Sequence, residues 1–254
     1  MKEQVDLIKC KNCNEEFQLP VKFCSRCGSK VNVEKDLSTY LTKSLIFYFV
    51  NILYLIGVYI TMPQKSQFLY ELFIEMTFAI IVFIFMLMDL RKIIDLFIIK
   101  KIPYKIIGFT LIFPIISSLI VHFSMNEINI FLFDDKYNCY QKYSEFDYPI
   151  FWSVIFISVT PAVFEEIGFR GFLYNQLINV SSPWVTICLT SFLFALIHLS
   201  FISFLWIFPF GIVLGYIRYR FKVIWLGMII HFLHNLFILY LDYLHYNNIG
   251  FNSL

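Results

Sequence analysis

The chain divides where its hydrophobic pattern changes. Up to Lys43, polar and apolar residues alternate at short intervals; from Ser44 onward, apolar runs of up to some 20 residues recur between short polar breaks. A helix of about 20 apolar residues covers the hydrocarbon core of a bilayer. On that template the pattern predicts seven spans: Ser44 to Met62, Leu69 to Met88, Ile106 to Ser124, one within Tyr148 to Leu177, Trp184 to Leu199, Phe201 to Tyr219, and Val223 to Tyr240. Leu90 to Ile102 is shorter and amphipathic, so it is expected to lie at the interface; an extension of the second helix or an eighth span are the alternatives. The predicted fold class is an all-α polytopic membrane protein of about seven to eight transmembrane helices, with a small hydrophilic head.

Composition supports this division. Apolar residues make up 59% of the 254-residue chain and charged residues 15%, whereas a soluble domain is nearer half and a quarter. No basic stripe with interleaved polar residues occurs, which argues against a nucleic-acid partner. The polar start, Met1 to Tyr40, has no apolar run of the kind a secretory signal carries.

The charges predict orientation. Of the 20 Lys and Arg residues, eight lie in the head (Lys2, Lys9, Lys11, Lys22, Arg26, Lys30, Lys35, Lys43), five after the second span (Arg91, Lys92, Lys100, Lys101, Lys105) and three after the sixth (Arg218, Arg220, Lys222). The opposite loops hold only Lys65, Lys136 and Lys142, and the loop from Met125 to Asp147 is acidic. Because basic loops stay on the cytoplasmic side, a cytoplasmic N-terminus is expected. The Lys-, Ile-, Asn- and Phe-rich composition suggests an AT-rich bacterial genome, and hence a bacterial plasma membrane.

The head carries Cys10-Lys-Asn-Cys13 and Cys24-Ser-Arg-Cys27. Paired C-x-x-C spacing points to a structural Zn²⁺ with four thiolate ligands; disulfides are the alternative and need an oxidising compartment. Asn14 and Gly28 follow the pairs and tolerate the left-handed backbone that such turns need. Phe17, Leu19, Val21 and Phe23 alternate with polar residues between the pairs, as in a short hairpin. The expected organisation is a zinc ribbon at 1–34, a linker at 35–43, N-terminal membrane helices and loops at 44–147 and a catalytic membrane core at 148–254. The ribbon is expected to serve stability or to dock a cytosolic partner.

The charges inside the apolar runs carry the candidate chemistry. Between Phe151 and Leu241 the only acidic residues are Glu165 and Glu166, in Pro161-Ala-Val-Phe-Glu-Glu-Ile-Gly-Phe-Arg170. A carboxylate in hydrocarbon is costly unless paired or hydrated. On a helix Glu166 and Arg170 share a face and can pair, while Glu165 points about 100° away, free to meet a cavity. Pro161 removes a backbone hydrogen bond and is expected to bend the helix. His198 ends the fifth span, and His231, His234 and Asn235 lie in the seventh. Two Glu, an Arg, two or three His and an Asn on three helices form a hydrolytic set.

Glu165-Glu166-Ile-Gly-Phe-Arg170, Phe194-Ala-Leu-Ile-His198 and His231-Phe-Leu-His-Asn235, in this order, resemble the CAAX-prenyl endopeptidase and bacteriocin-processing (CPBP, Abi) family of intramembrane proteases, over roughly Pro149 to Leu241. His234 departs from the signature. The resemblance implies an endopeptidase acting on a membrane-associated or lipidated peptide or protein. Its implied catalytic residues are Glu165, Glu166, Arg170, His198, His231 and Asn235. Glu165, with His198, would activate water; His231 and Asn235 would hold the oxyanion; Glu166 and Arg170 would hold the set in place. A catalytic Zn²⁺ through Glu165, His198 and His231 is chemically possible, and the metal-free version is favoured. Neither H-E-x-x-H nor G-x-S-x-G occurs. The rival readings are a non-catalytic membrane interaction or bacteriocin-immunity protein and an ion transporter, which would show repeated broken helices in both halves.

Overall fold

The computed structural model describes residues 8–10, 12–17, 21, 23–29, 34–63, 67–133 and 138–247. Two short strands, β1 (Ile8–Lys9) and β2 (Glu16–Phe17), pair antiparallel with Ile8 opposite Phe17. Eight helices follow: α1 (Glu34–Thr61), α2 (Phe68–Met88), α3 (Leu90–Ile94), α4 (Tyr104–Phe133), α5 (Pro149–Leu177), α6 (Pro183–Leu196), α7 (Phe201–Phe221) and α8 (Trp225–Tyr246). Six of these, all but α3 and α6, are long and apolar enough to cross a membrane. At 1.5 Å per residue the 14 residues of α6 rise about 21 Å, short of the ~30 Å hydrocarbon core. Among the described residues, the body that follows the head is that of a helical membrane protein, with six long apolar helices and a shorter seventh. Many large apolar side chains on α1, α2 and α4 are exposed, among them Phe49, Ile60, Phe73 and Ile116, as lipid-facing surfaces must be.

Several boundaries differ from the sequence pattern. The stretch 35–43, expected as a linker, is the start of α1: it holds neither Gly nor Pro, and nothing there stops a helix from growing outward from the apolar run. For the same reason α4 runs on to Phe133, through residues expected in the acidic loop. Leu90 to Ile102 is no eighth span. It forms α3 and an irregular tail with Ile93 and Leu96 buried, and it is tied to the end of α7 by Ile224 N–H donating to Leu96 O (3.0 Å) and Lys100 Nζ to Lys222 O (2.9 Å). The hairpin expected between the cysteine pairs falls largely outside the described residues; the described strands bracket the first pair, where the Cys10–Asn14 turn reverses the chain. Leu19, Lys2, Lys11, Lys22, Lys30, Lys65 and Lys136 lie outside the described residues.

The basic segments share one end of the molecule. Lys92 Nζ sits 5.9 Å from the Tyr40 ring at the start of α1, and Lys100 meets Lys222. The 138–147 loop lies at the other end, where Lys142 pairs with Glu71 (2.8 Å) and Cys139 N–H donates to Asp242 (2.8 Å).

One aromatic cluster fixes α5 in place. Phe47 of α1 packs edge-on against Phe85 of α2 and Phe169 of α5, with ring centroids 5.1 and 5.7 Å apart. Such pairs add about 0.5–1.5 kcal/mol each beyond their buried area. Gly168 allows this approach, since a Cβ there would stand 3.1 Å from the Phe47 ring. A continuous buried core from Glu166 to Leu177 results, and the acidic pair sits at its beginning.

In the head, the four Sγ atoms of Cys10, Cys13, Cys24 and Cys27 lie within 4.8 Å of one another, and no cysteine is disulfide-bonded. A tetrahedral Zn²⁺ with 2.3 Å bonds spaces its sulfurs by about 3.8 Å. The Cys10–Cys27 and Cys13–Cys24 separations are 3.6 and 3.4 Å, so the set fits such an ion. Hydrogen bonds with Ser29 hold the Cys10 thiol below its usual range and bring Cys27 to about 6, while, against a lowering backbone bond at Glu15, burial and the neighbouring thiols push Cys13 up to about 12.

Candidate active site

The site begins with Pro161. It has no N–H for the carbonyl four residues back, Ile157, and the helix just before it, Val154–Val159, is wound as a π-helix. Asn235 Nδ2 of α8 donates to that Ile157 carbonyl at 2.9 Å, so a side chain from another helix supplies the missing donor. A second π-helical stretch, Glu166–Leu173, follows the acidic pair. Local π-winding of this kind is frequent at functional sites.

Glu166 and Arg170 form the buried base, each 1% exposed. Arg170 Nη1 donates to Glu166 Oε1 at 2.9 Å and Nη2 to the Gly211 carbonyl at 3.3 Å. Its guanidinium lies 4.2 Å over the Phe194 ring, a favourable cation–π placement. Two glycines make room for the pair. A Cβ at Gly211 would stand 3.2 Å from Arg170 Nη2, and one at Gly227 only 2.9 Å from Glu166 Oε2. Neither glycine nor the role of Phe194 as a platform was legible in the sequence beyond the presence of Phe194 in its motif.

Glu165 is adjacent in sequence and differs in setting. Its side chain is 16% exposed, against 1% for Glu166, and its Oε2 has no hydrogen-bond partner in the protein. His231 stands between the two carboxylates, Nδ1 at 3.3 Å from Glu166 Oε1 and Nε2 at 3.8 Å from Glu165 Oε2. His198 lies just past the end of α6, with Nδ1 2.9 Å from the Phe194 carbonyl. A carbonyl only accepts, so Nδ1 carries a proton, and in the neutral ring Nε2 has the free lone pair. His234 Nδ1 meets Ser117 Oγ of α4 at 2.8 Å, and its ring lies against Phe210.

Glu165, His198, His231, His234 and Asn235 line one cavity of about 490 Å³, whose other walls are largely apolar, with Phe113, Trp206 and Phe210 prominent. This is the size and character of a small-ligand site. The structure thus brings four of the six signature residues to one cavity and buries the remaining two, Glu166 and Arg170, behind it. Among the described residues, the four head cysteines are the one set of three or more donors gathered within 4.8 Å.

Comparison with known proteins agrees with this geometry. Residues 147–237 match the family model described as type II CAAX prenyl endopeptidase, Rce1-like. That stretch contains all six signature residues. No curated protein and no solved structure matches the chain. Within the multi-pass helical body, residues 147–237 are therefore similar to the CAAX prenyl endopeptidase domain of the Rce1-like family, a family of proteases.

Proposed function

We propose that the protein is an intramembrane endopeptidase in which Glu165 activates the attacking water. The observation that carries this reading is that the Glu165 carboxylate oxygen without a hydrogen-bond donor and the His198 ring, its Nδ1–H committed to the Phe194 carbonyl, stand on the wall of the same apolar cavity.

A water between Glu165 and His198 donates one hydrogen bond to each. As its oxygen bonds to the scissile carbonyl carbon, Glu165 takes its proton, and the carbonyl oxygen becomes an oxyanion. Asn235 offers the oxyanion its second amide N–H, the first being given to Ile157. His231, its Nδ1–H facing Glu166, offers Nε2–H when the ring is protonated. Glu165 then passes its proton to the amide nitrogen as the C–N bond breaks, releasing an acid and an amine and restoring the carboxylate. Glu166 and Arg170 hold His231 and the α5–α7 contact without touching substrate.

The substrate is a membrane-associated or lipidated peptide, whose apolar part the aromatic cavity accepts. The protein resides in a bacterial plasma membrane, with the basic end and the head cytoplasmic. The head is a zinc ribbon that stabilises this end or docks a cytosolic partner. The reaction is metal-free.

The test is cleavage of a fluorescence-quenched farnesylated C-a-a-X peptide by the full-length protein in nanodiscs. Glu165→Gln is expected to lower kcat at least about 1,000-fold with an unchanged melting temperature. Cleavage at the wild-type rate would overturn the reading and leave a non-catalytic interaction protein. A chain lacking residues 1–34 is expected to contain no zinc and still to cleave; loss of turnover restored by added Zn²⁺ would overturn the metal-free mechanism.

A further inference from the structure

A second cavity, of about 270 Å³, reaches the same reacting groups from another side. Its wall contains Pro161, Glu165 and His198, which also line the larger cavity, so these three side chains form the partition between the two. The remaining polar groups come from helices outside the family match: Asn51 and Tyr54 of α1 and Glu75 of α2. Nothing in the hydrolytic mechanism above uses them.

Glu75 is the feature that needs a reason. It sits in the middle of one of the most apolar helices in the chain, where a carboxylate marks function unless it is paired. It is not paired as Glu71 is. Glu71, one turn earlier, is clamped by Lys142 at 2.8 Å, and Lys142 is the lysine near enough to act on Glu75 as well. Near Glu75, next to the partition, stands the Thr160 hydroxyl, which donates to Phe156 O of its own helix at 3.3 Å. Around it stand Glu71 on its own helix, Tyr54 on α1, Glu165 on α5 and His198 after α6. Asn51 is 1% exposed, and its side-chain oxygen has no partner in the protein. A buried acceptor of this kind, in a polar cavity large enough for several waters, is satisfied by water.

Hydrolysis consumes one water per bond cut. When an apolar peptide fills the larger cavity, its aromatic walls and the substrate exclude water from that side, so the reactant must arrive by another route. We propose that the second cavity is that water entry, and that Glu75 is a positioning residue that holds the incoming water against Glu165 and His198. This rests on the hydrolytic reading of Glu165. Glu75 forms no bond to substrate: it accepts a hydrogen bond from a water whose neighbour, one step further in, is the nucleophile. The acidic residue on a helix outside the signature thereby becomes part of the reaction.

The experiment has two arms. X-ray hydroxyl-radical footprinting of the full-length protein, without substrate, reports water beside aromatic side chains. Tyr54 and Phe78, which line the second cavity, are expected to be labelled in the wild type and several-fold less in Glu75→Leu, with Trp206 in the larger cavity unchanged. In the second arm, Glu75→Gln is expected to lower kcat for the farnesylated peptide about 10- to 100-fold at unchanged KM, with substantial recovery in Glu75→Asp. Equal labelling of Tyr54 and Phe78 with and without Glu75, or a Glu75→Gln enzyme with wild-type kcat, would overturn the proposal. Failure of the hydrolytic reading itself is seen separately, as a Glu165→Gln protein that cleaves normally or a wild type that cleaves nothing; the footprinting arm still decides whether water occupies the cavity.

Discussion

The head and the membrane site each gather four to six polar side chains, and they do it by opposite means. In the head, two short turns carry the same backbone bonds. Cys10 N–H donates to Glu15 O and Asn14 N–H to Cys10 O; Cys24 N–H donates to Ser29 O and Gly28 N–H to Cys24 O, all at 2.8–2.9 Å. Asn14 and Gly28 both adopt positive φ, 57° and 67°. Each turn is complete within six residues, and only partly buried Phe17 and Val21 support the cluster. In the membrane site four of the polar side chains are joined to other helices: Arg170 to Gly211, His231 to Glu166, Asn235 to Ile157 and His234 to Ser117. The head therefore owes its shape to local geometry, with four thiols placed to hold an ion. The site owes its shape and stability to the packing of helices in a medium where an unpaired polar group is costly.

Three perturbations sharpen that contrast. The largest effect is expected from stripping metal. A structural Zn²⁺ supplies on the order of 10 kcal/mol to a small domain, so chelation should unfold the head alone. Amide NMR signals of residues 8–29 should collapse to unfolded positions while the melting temperature of the helical body stays constant. Because zinc displaces the thiol protons, reloading the unfolded head should weaken steadily as pH falls below the ordinary thiol range of about 8.5. A body that melts together with the head would refute the separation.

Arg170→Ala acts on the other region. It leaves Glu166 buried without its cation, which costs about 3–5 kcal/mol, and should lower the melting temperature in detergent with no change in zinc content. Arg170→Met combined with Glu166→Gln should recover much of that loss, because the orphaned charge is gone. An unchanged melting temperature in the single variant would mean that the ion pair is not a structural base.

The smallest effect is expected from Gly227→Ala. Its Cβ would stand 2.9 Å from Glu166 Oε2, and overpacking costs about 1–3 kcal/mol. Because the displaced carboxylate also meets His231, kcat should fall more than stability does. Gly57→Ala, where a Cβ would meet nothing within 4 Å, serves as the control and should change neither.

Much of this was legible along the chain. The long apolar runs became the long helices except Trp184 to Leu199, expected as a span, which forms the 14-residue α6; the paired C-x-x-C turns closed with the left-handed residues where Asn14 and Gly28 stand. Glu166 and Arg170 also paired as their four-residue spacing implied. These are short-range facts: hydrophobic length, turn chemistry and helix periodicity act within a few residues. Where helices stop was less legible, as at 35–43 and beyond Ser124, because no Gly or Pro marked the end.

What the sequence alone determined was the membrane class, the metal-ligand turns, and the identities and order of the polar residues inside the bilayer. What tertiary structure decided was that Glu165, His198, His231 and Asn235 meet on one cavity, that Asn235 makes up for the N–H that Pro161 lacks, and that Glu75 lines a smaller cavity together with Glu165. Those relations depend on how helices distant in sequence are rotated against one another. That rotation is set by the whole packed interior, including Phe47 against Phe169 and the close approaches at Gly211 and Gly227, and no local pattern encodes it.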